Sequence, residues 1–210
     1  MRIVFVSDTH GRQIDDIPYG DVLVHCGDFS RGEGDINDVW LFNTWLGTLS
    51  HTHKLVVPGN HDLACEDHES LTREILVNAR LLIDEEVVID GVSFYGTPQQ
   101  PIYYNWAFNQ PSERLVDYYT MIPEHTNVLI THTPPFGYLD KVIKGYNVGS
   151  QELADALRRV KPMYHAFGHI HEGYGVASDG ETTFINCSLL NEDYRATNKP
   201  IVIDVKGENL

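Results

Sequence analysis

The sequence predicts an α/β fold: two mixed sheets stacked face to face between helices, a two-sheet α/β/α sandwich. Three observations predict it. Short apolar runs of strand length alternate with amphipathic or polar stretches along the whole chain. A helix-spaced stretch beginning near Ser150 is followed at once by a further strand-like run from Met163. Two Asp-Gly pairs, Asp90-Gly91 and Asp179-Gly180, mark tight hairpins and so a partly antiparallel second sheet. One domain spanning residues 1–210 is expected, because this length can bury a sizeable core and no linker, repeat or low-complexity tract interrupts it.

Arg2 to Val6 reads as the first strand, Asp21 to His25 as the second after the turn at Pro18 to Gly20, and Lys54 to Val57 as the third. Between the second and third, Val39, Phe42, Leu46 and Leu49 recur at helical spacing with Trp45 on the same face. Val87-Val-Ile and Val92-Ser-Phe-Tyr flank the first Asp-Gly turn as a hairpin. Thr97 to Pro111, rich in Pro, Gln, Tyr and Asn, reads as an irregular loop. Asn127 to Thr131 and Met163 to Phe167 supply two more strands. Between them Ser150 caps a helix whose stripe is Leu153, Leu157 and Val160 and which Pro162 cannot continue.

Composition excludes several classes. A formal charge of −15, from 30 acidic and 15 basic residues, repels polyanions at long range, so long nucleic acid is an unexpected partner. The apolar runs are far too short to cross a bilayer, and Met1 leads directly into the first strand, so neither a membrane span nor a signal peptide is expected. Cys26, Cys65 and Cys187 are an odd number without C-x-x-C spacing, which fits a reducing cytoplasm rather than a disulfide framework or thiolate metal site.

The residues that carry chemistry sit just beyond the strand ends. Asp8 and His10 come after the first run, Gly27-Asp28 after the second, and Gly59-Asn60-His61-Asp62 after the third. His132 comes directly after Asn127 to Thr131, and Gly168-His169-Ile170-His171 directly after Met163 to Phe167. Open α/β sheets bind ligands at the carboxyl ends of their strands, so five separate segments would deliver polar groups to one crest. Asp8 with His10, and His169 with His171, are two apart and project to the same side of an extended segment. Seven imidazole, carboxylate and amide groups exceed the needs of one open catalytic ion and match two divalent ions sharing a carboxylate, for which Asp28 is the candidate. Two ions bring +4 against −2 from Asp8 and Asp28, a local attraction for phosphate inside an acidic protein. A water bridging such ions loses a proton near neutral pH and becomes a nucleophile, while the ions neutralise charge on the phosphoryl oxygens.

Asp8-Thr-His10, Gly27-Asp28, Gly59-Asn60-His61-Asp62, Thr131-His132 and Gly168-His169-Ile170-His171 resemble, in order, the five motifs of the calcineurin-like metallophosphoesterases. Ile17-Pro-Tyr-Gly-Asp-Val-Leu-Val-His25, Phe42-Asn-Thr-Trp-Leu-Gly47, Thr131-His-Thr-Pro-Pro-Phe-Gly137 and His169-Ile-His-Glu-Gly-Tyr-Gly175 resemble the metallophosphoesterase-domain-containing branch. The resemblance implies that Asp8, His10, Asp28 and His171 hold one ion and that Asp28, Asn60, His132 and His169 hold the other. It further implies that His61 contacts the phosphate and assists the leaving group, oriented by Asp62. A metal-dependent phosphodiesterase acting on a small diester such as a cyclic nucleotide is expected, with Mn²⁺ preferred over Fe, Zn, Co or Ni. A phosphomonoesterase, a nuclease, and a weakly active nucleotide-binding or scaffolding protein are the alternatives; relatives that retain nucleotide with little turnover lack one histidine of the final pair, and this chain keeps both.

Other candidates read as structural. His51-Thr-His53 precedes its strand, at the wrong end of the sheet, and is expected at the surface. His165 lies within a strand and is expected to be packed. His25, His68 and His125 receive no function. Asp15-Asp16, Glu66-Asp67 and Glu85-Glu86 read as solvated acidic faces, and Arg158, Arg159 and Lys161 as basic residues complementing a helix end. Tyr103, Tyr104 and Trp106 are expected to close a core edge rather than to stack a ligand.

Overall fold

The computed structural model describes residues 1–205. Its strands are β1 (Arg2–Val6), β2 (Val22–His25), β3 (His53–Val56), β4 (Arg80–Leu81), β5 (Glu85–Ile89), β6 (Val92–Thr97) and β7 (Gln100–Pro101). The remaining strands are β8 (Asn109–Gln110), β9 (Val128–Thr131), β10 (Tyr164–Phe167), β11 (Gly175–Ser178), β12 (Thr183–Asn186) and β13 (Ile201–Asp204). The helices are α1 (Ile36–Thr48), α2 (Leu63–Asp67), α3 (Glu69–Ile75), α4 (Ser112–Thr120) and α5 (Gln151–Val160).

One sheet has the order β13-β1-β2-β3-β4, parallel except for β13 at its edge. The other has the order β11-β12-β10-β9-β6-β5, parallel in the middle with antiparallel edges. Both sheets are mixed, as expected. Alternate residues of β1 serve two cores, since side chains along a strand point to opposite faces. Ile3 and Phe5 meet Val24, Leu55, Phe94 and Ile130 between the sheets, whereas Val4 and Val6 face α1 through Phe42, Trp45 and Leu46. A third core packs Tyr95, Leu129 and Phe167 against Leu115, Tyr119, Leu153 and Leu157 of α4 and α5. Burial on both faces is why the central strands are continuously apolar.

Local signals act where the sequence places them. The Ser150 hydroxyl accepts from the Leu153 amide at 3.1 Å to cap α5, and Lys161 closes the helix in the left-handed region ahead of Pro162. Asp90 and Gly91, with φ of 48° and 83°, form the two-residue turn between β5 and β6.

Several expectations are corrected. Thr97 to Pro111 is not wholly irregular: β7 and β8 pair in parallel, with Gln100 opposite Asn109. His51 is buried, because its imidazole Nε2 donates to the Pro18 carbonyl at 3.0 Å beneath the turn leading to β2. Glu85 and Glu86 are half-buried partners of Arg73 and His125 rather than a free acidic face. Tyr103 and Tyr104 are exposed and close no core. His165 is packed as expected, at 2.9 Å from the Thr131 hydroxyl. Among the described residues no helix is long and apolar enough to cross a membrane.

Candidate metal centre

The carboxyl ends of β1, β2 and β3 from one sheet meet those of β9 and β10 from the other. The first two loops are laced together by main-chain bonds, Asp8 N–H to Gly27 O and His10 N–H to Asp28 O, each 2.9 Å. The sheets are joined at the same place: the His169 amide donates to the Asp8 carboxylate at 3.1 Å, and His132 Nδ1–H donates to the Cys26 carbonyl at 2.8 Å.

This convergence strains the backbone. Asp8, His10, Asp28 and His169 all have positive φ, at 57°, 44°, 56° and 67°. Left-handed non-glycine residues cost free energy and cluster at functional sites. Close approach also demands glycine. A Cβ on Gly59 would lie 2.2 Å from Asp28 Oδ1, and one on Gly168 would lie 2.1 Å from Asp8 Oδ2.

Ligand atoms of Asp8, His10 and His171 lie within 4.8 Å of one another, as do those of Asp28, His132 and His169. His171 Nε2 is 3.3 Å from Asp8 Oδ1, and His132 Nε2 is 3.3 Å from Asp28 Oδ1 and 3.0 Å from Asn60 Oδ1. His10 Nε2 lies 3.7 Å from Asp28 Oδ2, so Asp28 stands between the two groups. All seven residues predicted as ligands therefore converge.

The donor set fits two divalent ions on observations beyond proximity. His10 Nε2 is buried and has no hydrogen-bond partner while facing two carboxylates. His132 and His171 each commit Nδ1 to a carbonyl, of Cys26 and Asn191, which turns Nε2 toward the centre as ligating histidines require. The set is entirely nitrogen and oxygen, suited to Mn, Fe, Co, Ni or Zn.

Electrostatics couple these groups. Burial alone would raise the Asp28 carboxyl, but His132, His10 and His61 outweigh it and hold the group well below the usual carboxylate range. Burial would lower His132, yet Asp28 and Asp8 carry it up to about 10. Burial with His132 nearby takes His169 down to about 4.

His61 faces the centre, its Nε2 3.9 Å from Asp28 Oδ2, with its ring stacked on Trp106 at a centroid distance of 4.2 Å. The expected pairing of Asp62 with His61 is not formed. His61 Nδ1 has no hydrogen-bond partner, and the fully buried Asp62 carboxylate instead accepts from the amides of Asp28, Ser30 and Gly59 at 2.9, 2.9 and 2.7 Å and from the Ser30 hydroxyl. Asp62 staples the β2 and β3 exit loops to each other.

Sequence reasoning missed the supporting residues. His25 is fully buried; its Nδ1 accepts from the Gly27 amide at 3.3 Å, which leaves Nε2–H to donate to the Thr9 hydroxyl at 3.1 Å. Ser188 donates to Asp8 Oδ2 at 2.8 Å, and Asn191 holds His171. These last two lie beyond β12, a sixth strand end where the residues from Cys187 to Asn191 include no imidazole or carboxylate to signal it. Tyr194, from the same loop, sets its ring 5.0 Å from those of both His10 and His171.

Known proteins resemble this chain in sequence and in fold. Metallophosphoesterase domain-containing protein 1 of Homo sapiens is 42% identical over 232 residues, covering 97% of this chain and 71% of that protein, and its Mus musculus counterpart matches equally. A solved crystal structure shares the fold with a TM-score of 0.71 at 16% identity, covering 97% of this chain and 98% of its own. The Calcineurin-like phosphoesterase superfamily domain matches residues 1–206, so this chain belongs to that superfamily and is a metal-dependent phosphoesterase.

Proposed function

We propose that the protein is a phosphodiesterase that hydrolyses a small phosphodiester such as a cyclic nucleotide, using two divalent ions with Mn²⁺ preferred. One observation carries the reading: Asp28 belongs to one histidine-carboxylate cluster and lies 3.7 Å from His10 of the other, and His61 Nε2 is 3.9 Å from that carboxylate at the floor of a cavity. Asp8, His10, Asp28 and His171 would hold one ion, and Asp28, Asn60, His132 and His169 the other. When bound, such ions supply Lewis acidity toward phosphoryl oxygens and acidify water.

The remaining work falls to the chain. His61, partly exposed and facing the centre, is placed to hand a proton from its imidazolium to the leaving oxygen. Trp106 covers one face of that ring and limits its rotation. Asp62 acts as a positioning residue, holding Asp28 and the His61 loop in register. The diester choice is supported by the branch that the sequence motifs resemble and by the pocket lining, which among the described residues has no lysine or arginine to meet the second charge of a monoester. The same lining and the net charge of −15 weigh against long nucleic acids. Three buried cysteines without a disulfide suit a reducing cytoplasm.

The test is a panel: Mn²⁺-loaded protein assayed on bis-p-nitrophenyl phosphate, p-nitrophenyl phosphate, cyclic nucleotides and oligonucleotides. Diester turnover is expected to lead. Preference for the monoester would overturn the diester assignment, and nucleotide binding without turnover of any ester would replace it with a binding role.

A further inference from the structure

The cavity above the candidate metal centre, about 1110 Å³, continues past His61 and His171 into a mouth of a different character. Two loops build this mouth, one after β7 and one preceding α5. The first presents Tyr103 and Tyr104, 59% and 75% exposed, and the second presents Tyr146, 53% exposed.

Large aromatic side chains exposed together on ordered loops call for an explanation, since water gains nothing from them. Both loops are pinned from inside. The Asn109 side chain accepts from the Tyr103 amide at 3.2 Å and donates to the Tyr104 carbonyl at 3.0 Å, holding Tyr104 at a φ of 49°. In the other loop the fully buried Asp140 carboxylate accepts from the Gly137 and Gly149 amides at 3.1 and 2.8 Å and from the Asn147 side chain. The rings are thus presented in advance of any ligand, with their ordering already met by the fold. They also share one space: desolvation, Tyr104 and Tyr146 together raise the Tyr103 phenol. On the inner side Trp106 lies against His61 and lines the same cavity between the mouth and the centre.

Charge narrows the ligand. Among the described residues the lining contains no lysine or arginine, and the lysines of the second loop, Lys141 and Lys144, lie outside it, so the slot itself holds no counter-ion for a second phosphate. Within the lining, attraction for phosphate is concentrated at the candidate metal centre.

We propose that Tyr103, Tyr104 and Tyr146 form an aromatic slot that stacks the planar ring of a singly phosphorylated ester, of nucleobase size, while its phosphate sits at the metal centre. The proposal rests on the phosphoesterase reading for the phosphate end and on the two loops for the ring end. A stacked ring on such platforms is worth about a tenfold or greater gain in affinity.

Equilibrium dialysis of the Mn²⁺-loaded full chain tests this without requiring turnover. Adenosine 5′-phosphate is expected to bind at least about tenfold more tightly than ribose 5-phosphate. In Tyr104→Ala/Tyr146→Ala that ratio should fall below about threefold, whereas Tyr104→Phe/Tyr146→Phe should keep it, since stacking needs the ring and not the hydroxyl. Both positions are exposed, so an unchanged thermal midpoint is expected for either variant. Adenosine 3′,5′-bisphosphate should bind no more tightly than the monophosphate. Equal binding of adenosine 5′-phosphate and ribose 5-phosphate, or a ratio untouched by the alanine variant, overturns the slot. Tighter binding of the bisphosphate overturns the single-phosphate limit. Diester hydrolysis without ring preference would sink the slot alone, and ring preference without hydrolysis of any ester would sink the phosphodiesterase reading alone.

Discussion

Replacing Asp62 by alanine distinguishes a loop staple from a partner of the His61 imidazole. The wild-type carboxylate accepts three buried main-chain amides, from Asp28, Ser30 and Gly59, and the Ser30 hydroxyl. Leaving a buried donor unpaired costs about 1–3 kcal/mol, so three amides sum to roughly 3–9 kcal/mol. Removing the carboxylate also relieves an unfavourable term. Burial first, and then Asp28, carry its pKa from 3.8 to about 6, a penalty of about 3 kcal/mol at neutral pH. The net loss therefore lies between about 0 and 6 kcal/mol and centres near 3 kcal/mol, which for a chain of this size lowers the thermal midpoint by roughly 6–12 °C. Differential scanning calorimetry and metal analysis on the same preparation measure it. Asp62→Ala should lose stability and metal together, because Asp28 is displaced with its loop. His61→Ala should keep both. A stability loss below about 1 kcal/mol, combined with a fall in turnover equal to that of His61→Ala, would refute the staple and restore Asp62 as the orienter of His61.

The same geometry sets three further outcomes. His61→Ala should retain two ions while turnover falls by about 10²-fold or more, and Asp28→Ala should lose the ions; equal metal loss in both, by plasma mass spectrometry, would count against the division of roles. Gly168→Ala should impair metal loading, since its methyl group would meet Asp8 Oδ2 at 2.1 Å; normal metal content would show that the loop yields. Acid should destabilise the fold through His25 and His165, which burial lowers to about 3. Their folded pKa values lie below the unfolded 6.5, so their contribution is complete above that pH and declines as pH falls toward 3. Each costs about 1.4 kcal/mol per pH unit in that window. Urea titrations at pH 6.5 and 4.5 should show the decline, and His165→Phe should reduce its slope; an unchanged slope would mean that other groups carry the acid response.

The order of the strands, the two helix stripes and the Asp-Gly turns were legible because each is a local pattern: continuous apolar runs for strands buried on both faces, and a cap leading into i, i+3, i+4 spacing for α5. The site was legible for a related reason. Imidazole and carboxylate groups placed just after strands must collect at one crest once those strands lie parallel, and the predicted ligands do. His51 and the tyrosines of the β7 loop were misplaced because exposure is a property of what packs on a residue. Nothing in their immediate neighbours reveals the Pro18 carbonyl over His51 or the open mouth beside Tyr104.

What the sequence by itself determined is therefore the set of candidate ligands and the strands that deliver them, since both depend on neighbours within a few residues. Only the tertiary structure decided what those groups face. It turned Asp62 from His61 to three amides, locked the His25 tautomer between two loops, brought Ser188 and Asn191 of a sixth strand end behind Asp8 and His171, and left the tyrosines open beside the candidate metal centre. Most of these contacts join segments far apart in the chain, and a hydrogen bond across such a distance is chosen by the geometry of the folded sheets rather than by any spacing along the sequence.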